Sequence, residues 1–241
     1  ILKYLRYGGM PFLPHIGLDG DLPFEYLRNV YSTILLKDVV ARENIRNVSF
    51  LENLLFYLGN NIGSLFSANN ISKYLKSQQI DISPQLTINY LRALTNAYVV
   101  YKVARAEISG LKIFEIGEKY FFEDLGLRNS IVGFNQRTDI HKLLENAVYL
   151  HLRHQGYQVF VGKQDNREVD FVGEMDGKKI YIQVCLTLDK DDTSATREFG
   201  NLLQIEDNYP KYVITLNDLS TGISKEGIVH MNLLEFLSEG N

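Results

Sequence analysis

The sequence predicts an α+β protein in two parts, a helical N-terminal half followed by a C-terminal half built on a mixed sheet. Three observations predict it. Up to about residue 97, apolar residues recur at spacings of three and four, the mark of amphipathic helices. From about residue 98, short β-branched and aromatic runs alternate with turn residues. Beyond Asp139 the elements read helix, three strands, helix, strand, and this αβββαβ order calls for a mixed sheet with helices on its faces.

Composition narrows the function classes. With 241 residues, 45% hydrophobic and 22% charged, the chain has room for one large domain or two small ones. A net charge of -4 excludes a protein that coats nucleic acid by bulk charge, because such binding depends on neutralising many phosphates. Nucleic-acid contact would have to come from a local patch. The single cysteine, Cys185, excludes an internal disulfide and, with no Cys/His cluster, a thiolate zinc site, so a reducing cytoplasm is the expected setting. No stretch reaches the ~20 apolar residues that span a bilayer, and no membrane partner is expected. The chain opens at Ile1 in what reads as the middle of a helix (ILKYLRYGGMP), so a piece of a longer polypeptide is expected. It contains no G-x-x-x-x-G-K-[ST], which puts any ATPase chemistry upstream.

Three regions follow from the pattern: a helical region over 1–66, a second over 67–136, and a sheet domain over 137–241. The first opens with a short helix and a Gly-Gly-Met-Pro break. Phe24, Leu27, Val30, Ile34, Leu35 and Val39 then predict a helix from Pro23 to about Asn44, and Leu51, Leu54, Leu55 and Leu58 a second from Val48 to about Asn60. In the next region Ser67 is placed to cap one helix. Ser83, with Pro84 at the first helical position, is placed to start another, whose buried face would be Leu86, Tyr90, Leu91, Leu94 and Ala97. Strand-like runs YVVYKVA and KIFEIGEKYFFED follow, with Glu107 to Leu111 as a hairpin tip.

Helix, turn, helix and hairpin is the order of a winged helix. Its second helix would present Gln85, Thr87, Asn89, Arg92, Thr95 and Asn96, and Gln85, Asn89, Arg92 and Asn96 are the candidate DNA contacts. With one cation among them, a packing and interaction module is the competing reading. Phe122 to Phe134 reads as a connector with helical content, and Asp139 as the cap of the helix after it.

In the C-terminal region a helix carries Glu145 (HKLLENAVYLHLRHQGY), a short strand follows (QVFVG), and the next strand carries Glu168 and Asp170 (REVDFVGE). A hairpin leads into KKIYIQVC; then come a helix from Asp192 to about Asp207, a central strand (KYVITL), and a last strand and helix (GIVHMNLLEFL). This succession resembles the PD-(D/E)XK nuclease superfamily, of restriction-endonuclease-like fold, where a helix Glu, a strand Asp and a Glu-x-Lys surround a divalent metal. Here the last element is Gln183-x-Cys185, and the lysine is absent. The resemblance implies a catalytic set of Glu145, Asp170 and Gln183, with Cys185 at the lysine position. It also implies a Mg²⁺ site held by Asp170 with Glu145 or Glu168 beside it. Glu168 and Asp170, two apart on a strand, would share a face and converge with Gln183. Lys163, Arg167, Lys178 or Lys179 are the cations that would have to stand in for the lost lysine.

Each residue also has a plainer reading. Glu145 would brace the sheet, Glu168 would pair with Arg167 or Arg197, and Cys185 would be a small buried hydrophobe. The five histidines form no ligand set.

A second resemblance covers nearly the whole chain. YLRYGGMP at 4–11, LLKDVVARENIRN at 35–47, the serine-led helices near Ser67 and Ser83, and KYFFEDLGLRNSIVG at 119–133 carry its first half. LLENAVYLHLRHQGY at 143–157, REVDFV, YIQVC and REFGNLLQIEDNYPKYVIT at 197–215 carry its second. Together they resemble the C-terminal part of bacterial and archaeal AAA+ type ATPases, the domain of unknown function DUF4143. The resemblance implies a parent that binds ATP and Mg²⁺ in an N-terminal domain outside this chain, that domain being a partner and the chain itself holding no cofactor. The expected function is a non-catalytic DNA- or partner-binding regulatory region with a degenerate nuclease-like fold. The alternatives are a metal-dependent nuclease acting on DNA and an oligomerisation or adaptor module for another protein.

Overall fold

The computed structural model describes residues 1–77, 82–114, 117–165, 167–188, 199–216 and 221–238, with the backbone alone at Leu36. They form two compact units, one of residues 2–102 and 116–136, the other of residues 103–115 and 137–241 together with Ile1. This division departs from the three regions 1–66, 67–136 and 137–241. The first two share one unit, and residues 103–115 leave it because strand β2 hydrogen-bonds to the edge of the other unit's sheet.

The first unit is mainly helical. It holds α1 (Leu2–Tyr7), α2 (Leu13–Ile16), α3 (Leu22–Thr33), a π-wound stretch (Ile34–Ala41), α4 (Val48–Asn60), α5 (Ala68–Ser77) and α6 (Pro84–Asn96). Strands β1 (Val100–Val103) and β3 (Lys119–Phe122) pair with each other, a bridge joins Phe66 to Glu118, and α7 (Leu125–Val132) follows; β2 (Arg105–Glu107) belongs to the second unit. The helix expected from Pro23 to Asn44 is thus α-helical only to Thr33. Within the π-wound stretch Leu35 and Val39, four apart, are both buried in the core.

Local caps set the helix starts. The Ser67 hydroxyl accepts from the Asn70 amide at 3.2 Å, the Ser83 hydroxyl from the Leu86 amide at 3.2 Å, and Asn47 Oδ1 from the Phe50 amide at 2.9 Å. On α6 the buried face is Thr87, Tyr90, Leu91, Ala93 and Leu94. Leu86 is 36% exposed, and Thr87, expected outside, is fully buried with its hydroxyl 3.0 Å from that of Ser72. That hydrogen bond replaces the water an exposed threonine would bind.

The stretch 122–134, expected as a connector, is the centre of this unit. Asp124 caps α7 by accepting from Leu127 N–H at 2.8 Å, and its other oxygen accepts from Gly9 N–H at 2.7 Å, 115 residues away. Burial raises the Asp124 pKa above the usual carboxylate range, while the Gly9, Leu127 and Gly126 amides pull it back down. Asn129 Nδ2 donates to the carbonyls of Leu5 and Arg6 at 2.9 and 2.8 Å, closing the C-terminal end of α1. Arg128, wholly buried, donates to the Gly59 carbonyl at 2.8 Å, to Asn129 Oδ1 at 2.9 Å and to the Gly133 carbonyl at 3.2 Å. The backbones are so close that a Cβ on Gly126 would lie 1.9 Å from the Tyr7 carbonyl oxygen.

The second unit is a mixed, seven-stranded sheet in the order β2-β4-β5-β6-β7-β9-β8. Its elements are α8 (Gln136–His154), β4 (Gln158–Gln164), β5 (Arg167–Met175), β6 (Lys178–Cys185), β7 (Lys211–Thr215), β8 (Gly222–Ile223), β9 (Val229–Asn232) and α9 (Leu233–Ser238). Strands β4, β5 and β6 run antiparallel to their neighbours in turn, whereas β2–β4, β6–β7 and β7–β9 are parallel. Between β5 and β6, Asp176 and Gly177 both take positive φ (53° and 74°), the geometry that a two-residue hairpin turn demands of Asp-Gly.

Around the sheet, Phe160, Val169, Val172, Tyr181, Val213 and Leu202 pack in one cluster. Of the helix expected from Asp192 to Asp207, residues 192–198 lie outside the described residues; 199–203 are helical. Asp139 does not cap α8, which starts at Gln136; it sits in the first turn, where its charge still favours the helix dipole. Among the described residues no helix is long and apolar enough to cross a membrane.

Candidate functional site

Two places gather the residues that the sequence singles out. The first is a fork between β5 and β6. The two strands pair from Met175↔Lys178 to Phe171↔Ile182, and there the paired register stops although both strands continue. Side chains take over beyond it. Val184 N–H donates to Asp170 Oδ2 at 2.8 Å, and Asp170 N–H donates to Gln183 Oε1 at 3.4 Å.

On the other flank of β5, Phe160 pairs with Val172 and Gly162 with Val169, so Asp170 and Phe171 together oppose Val161. That is a β-bulge, and it breaks the two-residue alternation: Val169 and Val172, three apart, pack into the same cluster. The interruption falls at Asp170–Phe171, beyond the Glu168–Asp170 spacing.

The remaining predicted groups are dispersed around the fork. Glu168 pairs in register with Lys163, and its carbonyl accepts from Asn201 Nδ2 at 3.3 Å. Lys163 Nζ lies 4.9 Å from the centre of the Phe114 ring, and Lys179 Nζ donates to the Ile108 carbonyl at 2.9 Å. Arg167 and Lys178 are exposed, and Arg197 lies outside the described residues. Gln183 is buried at 7% exposure, Cys185 is half-buried opposite Thr215, and Glu145 is half-buried on α8. Mg²⁺ asks for several carboxylate or water oxygens in near-octahedral geometry. Among the described residues no three His, Cys, Asp or Glu side chains gather into a metal-holding group, and the amide at position 183 is neutral. This donor set does not fit the ion.

The second place is a cleft of about 380 Å³ in the helical unit, between α6 and residues 43–47. The four predicted DNA contacts lie along one stripe of α6, with Gln85, Arg92 and Asn96 exposed and Asn89 half-buried. Asn89 Oδ1 accepts from Gln85 Nε2 at 3.5 Å and from Arg92 Nη2 at 3.4 Å, and Asn96 Nδ2 donates to Glu43 Oε1 at 3.2 Å. Asn89 and Arg92 line the cleft together with Asn44, Arg46 and Asn47, which sequence reasoning missed. Asn44 takes a left-handed φ of 51°, and Asn47 N–H donates to the Tyr90 hydroxyl at 3.1 Å, so the loop is folded back onto α6. An Asn after a helical run is a readable stop signal, but the helix it would meet is not.

A helical unit with a cleft of mixed polar and apolar lining and a mixed-sheet unit with a forked strand define an α+β protein of two units. Its family is known by comparison: the chain belongs to the Domain of unknown function (DUF8612) family, which matches residues 1–138. An uncharacterized protein of Haemophilus influenzae is 32% identical over 213 residues, 88% of this chain and 52% of that protein. One of Methanocaldococcus jannaschii is 30% identical over 232 residues, 90% of this chain and 50% of its own length. The chain thus spans about half the length of these curated relatives. A crystal structure of a Vibrio cholerae protein overlaps 76% of this chain and 52% of its own at 12% identity and a TM-score of 0.27, too slight a likeness to carry an argument.

Proposed function

We propose that this chain is a non-catalytic, DNA-contacting region of a AAA+ type ATPase of the cytoplasm, with ATP and its Mg²⁺ bound in a domain outside it. The observation that carries this reading is the stripe Gln85, Asn89, Arg92 and Asn96 on α6, polar and mostly exposed on the second of two packed helices, α5 and α6, that precede paired strands. The Phe66–Glu118 bridge supports a winged-helix plan by adding a third strand position beside β3. In the other unit, antiparallel β4, β5 and β6 followed by parallel β7 support a restriction-endonuclease-like plan. Asp170 and Gln183 bonded to backbone amides support a structural use of its former centre.

The test is binding of DNA, duplex and single-stranded, to this chain across a salt series. Affinity should fall linearly in log–log form with salt, and Arg92→Ala should weaken it across all sequences by about 1–3 kcal/mol and reduce the slope by about one. Absence of binding at low salt overturns the reading in favour of an adaptor for another protein. A metal-dependent nuclease, against which the donor set at the fork argues, would instead show divalent-dependent cleavage that Asp170→Ala abolishes.

A further inference from the structure

We propose that the α6 cleft takes an unstacked, single-stranded segment of nucleic acid rather than the groove of a duplex; the proposal rests on the α6 reading above and names its substrate. A recognition helix reads a duplex by entering a major groove about 12 Å wide, which needs a convex ridge free on both flanks. Here one flank is occupied. Residues 43–47 lie against α6 and are tied to it by the Asn47–Tyr90 and Asn96–Glu43 hydrogen bonds. The result is concave, and its volume of about 380 Å³ falls at the lower end of the usual range for ligand sites, about 300–1,000 Å³.

The lining suits a nucleotide with its base edge free. Arg46 and Arg92 bring two guanidinium groups, which pair with phosphate or stack on a base plane. Asn44 and Asn89 bring carboxamides, which match the donor and acceptor pattern of an unpaired base edge. The one carboxylate of the lining, Glu43, is engaged by Asn96, so its charge is partly offset beside the two cations. The hydrogen bonds from Gln85 and Arg92 to Asn89 hold the polar row in place before any ligand arrives. Tyr90 is buried, so stacking falls to the arginines.

Arg46 separates this proposal from duplex reading, because it lies in the cleft but not on α6. The experiment is fluorescence anisotropy with labelled oligothymidylate of about 12 nucleotides and with a blunt hairpin duplex, using the wild-type chain, Arg46→Ala and Arg92→Ala. Arg46 is exposed, so its removal leaves the fold intact. The expected result is tighter binding of the single strand than of the duplex, weakened about five- to tenfold by either substitution, with the duplex insensitive to Arg46→Ala. Preference for the duplex, or single-strand binding that Arg46→Ala leaves unchanged, overturns the proposal while leaving the α6 reading in place. Failure of both oligonucleotides to bind overturns both.

Discussion

The α7 clasp and the β5/β6 fork both spend polar side chains on backbone groups, and they do so at different depths. In the clasp, Asp124, Arg128 and Asn129 are 7%, 0% and 2% exposed, and they join segments that are 69 to 124 residues apart. In the fork, Asp170 is half-buried and accepts from the amide of Val184 on the neighbouring strand. A buried polar network whose hydrogen bonds reach across the fold favours a single arrangement, because any alternative strands several groups in a low dielectric. At the fork the hydrogen bonds of Asp170 and Gln183 join adjacent strands, so breaking one disturbs a local pairing and not a long-range tie. The difference teaches that the helical unit is tied together by the motif EDLGLRN across long sequence separations, while the sheet unit packs around its apolar cluster, with Asp170 and Gln183 joining adjacent strands.

The most severe way to break this comparison is Gly126→Ala. The added methyl would sit on the Tyr7 carbonyl, and since both partners are backbone nothing short of moving α1 relieves it. A loss of about 3–5 kcal/mol is expected in chemical denaturation. Arg128→Met comes next. It removes the donors to Gly59 and Gly133 and to Asn129 Oδ1 while keeping most of the volume, and should cost about 3 kcal/mol. A change below about 1 kcal/mol would mean that the guanidinium is not what holds α4, α7 and the Gly133 turn together.

Asp170→Ala in the fork removes the acceptor of the Val184 amide and should cost about 1–3 kcal/mol, less than the change at Gly126. Millimolar Mg²⁺ should leave the melting temperature of the wild-type chain unchanged, since binding to the folded state alone would raise it. A magnesium-dependent rise that disappears in Asp170→Ala would turn the fork from a structural device into a metal site.

These contrasts also explain what was legible in the sequence. Caps at Ser67 and Ser83 and the Asp-Gly hairpin are local, each settled within four residues, and local chemistry is written in the order of side chains. The pairing of β2 with β4 joins residue 105 to residue 161, and nothing in RAE announces which sheet it will enter. The clasp was invisible for the same reason: Asp124 reads as a helix cap, but its bond to Gly9 depends on where α1 lands. At the fork, the spacing of Glu168 and Asp170 was legible, whereas the bulge at Asp170–Phe171 arises only from the register against β4.

The smallest effects lie in pH dependence, where the two units pull in opposite directions. Burial raises the Asp124 pKa, so the folded state holds a proton that the unfolded chain has already lost. Stability from this group therefore declines as pH rises from the ordinary aspartate range, about 3.9, up to the folded pKa, and is level above it. Asp124→Asn should remove that decline. In the sheet unit, burial first and His154 second lower the pKa of His151, whose ring packs edge-on against Phe236 at 4.8 Å. Here the unfolded chain takes the proton first as the solution is acidified through about 6.5, so stability falls toward acid until the folded pKa is passed. His151→Leu should flatten that limb and leave the Asp124 limb untouched. Denaturation midpoints measured from about pH 4 to pH 8 on the three chains would resolve the two slopes. A slope of the same sign from both residues would contradict the burial that separates them.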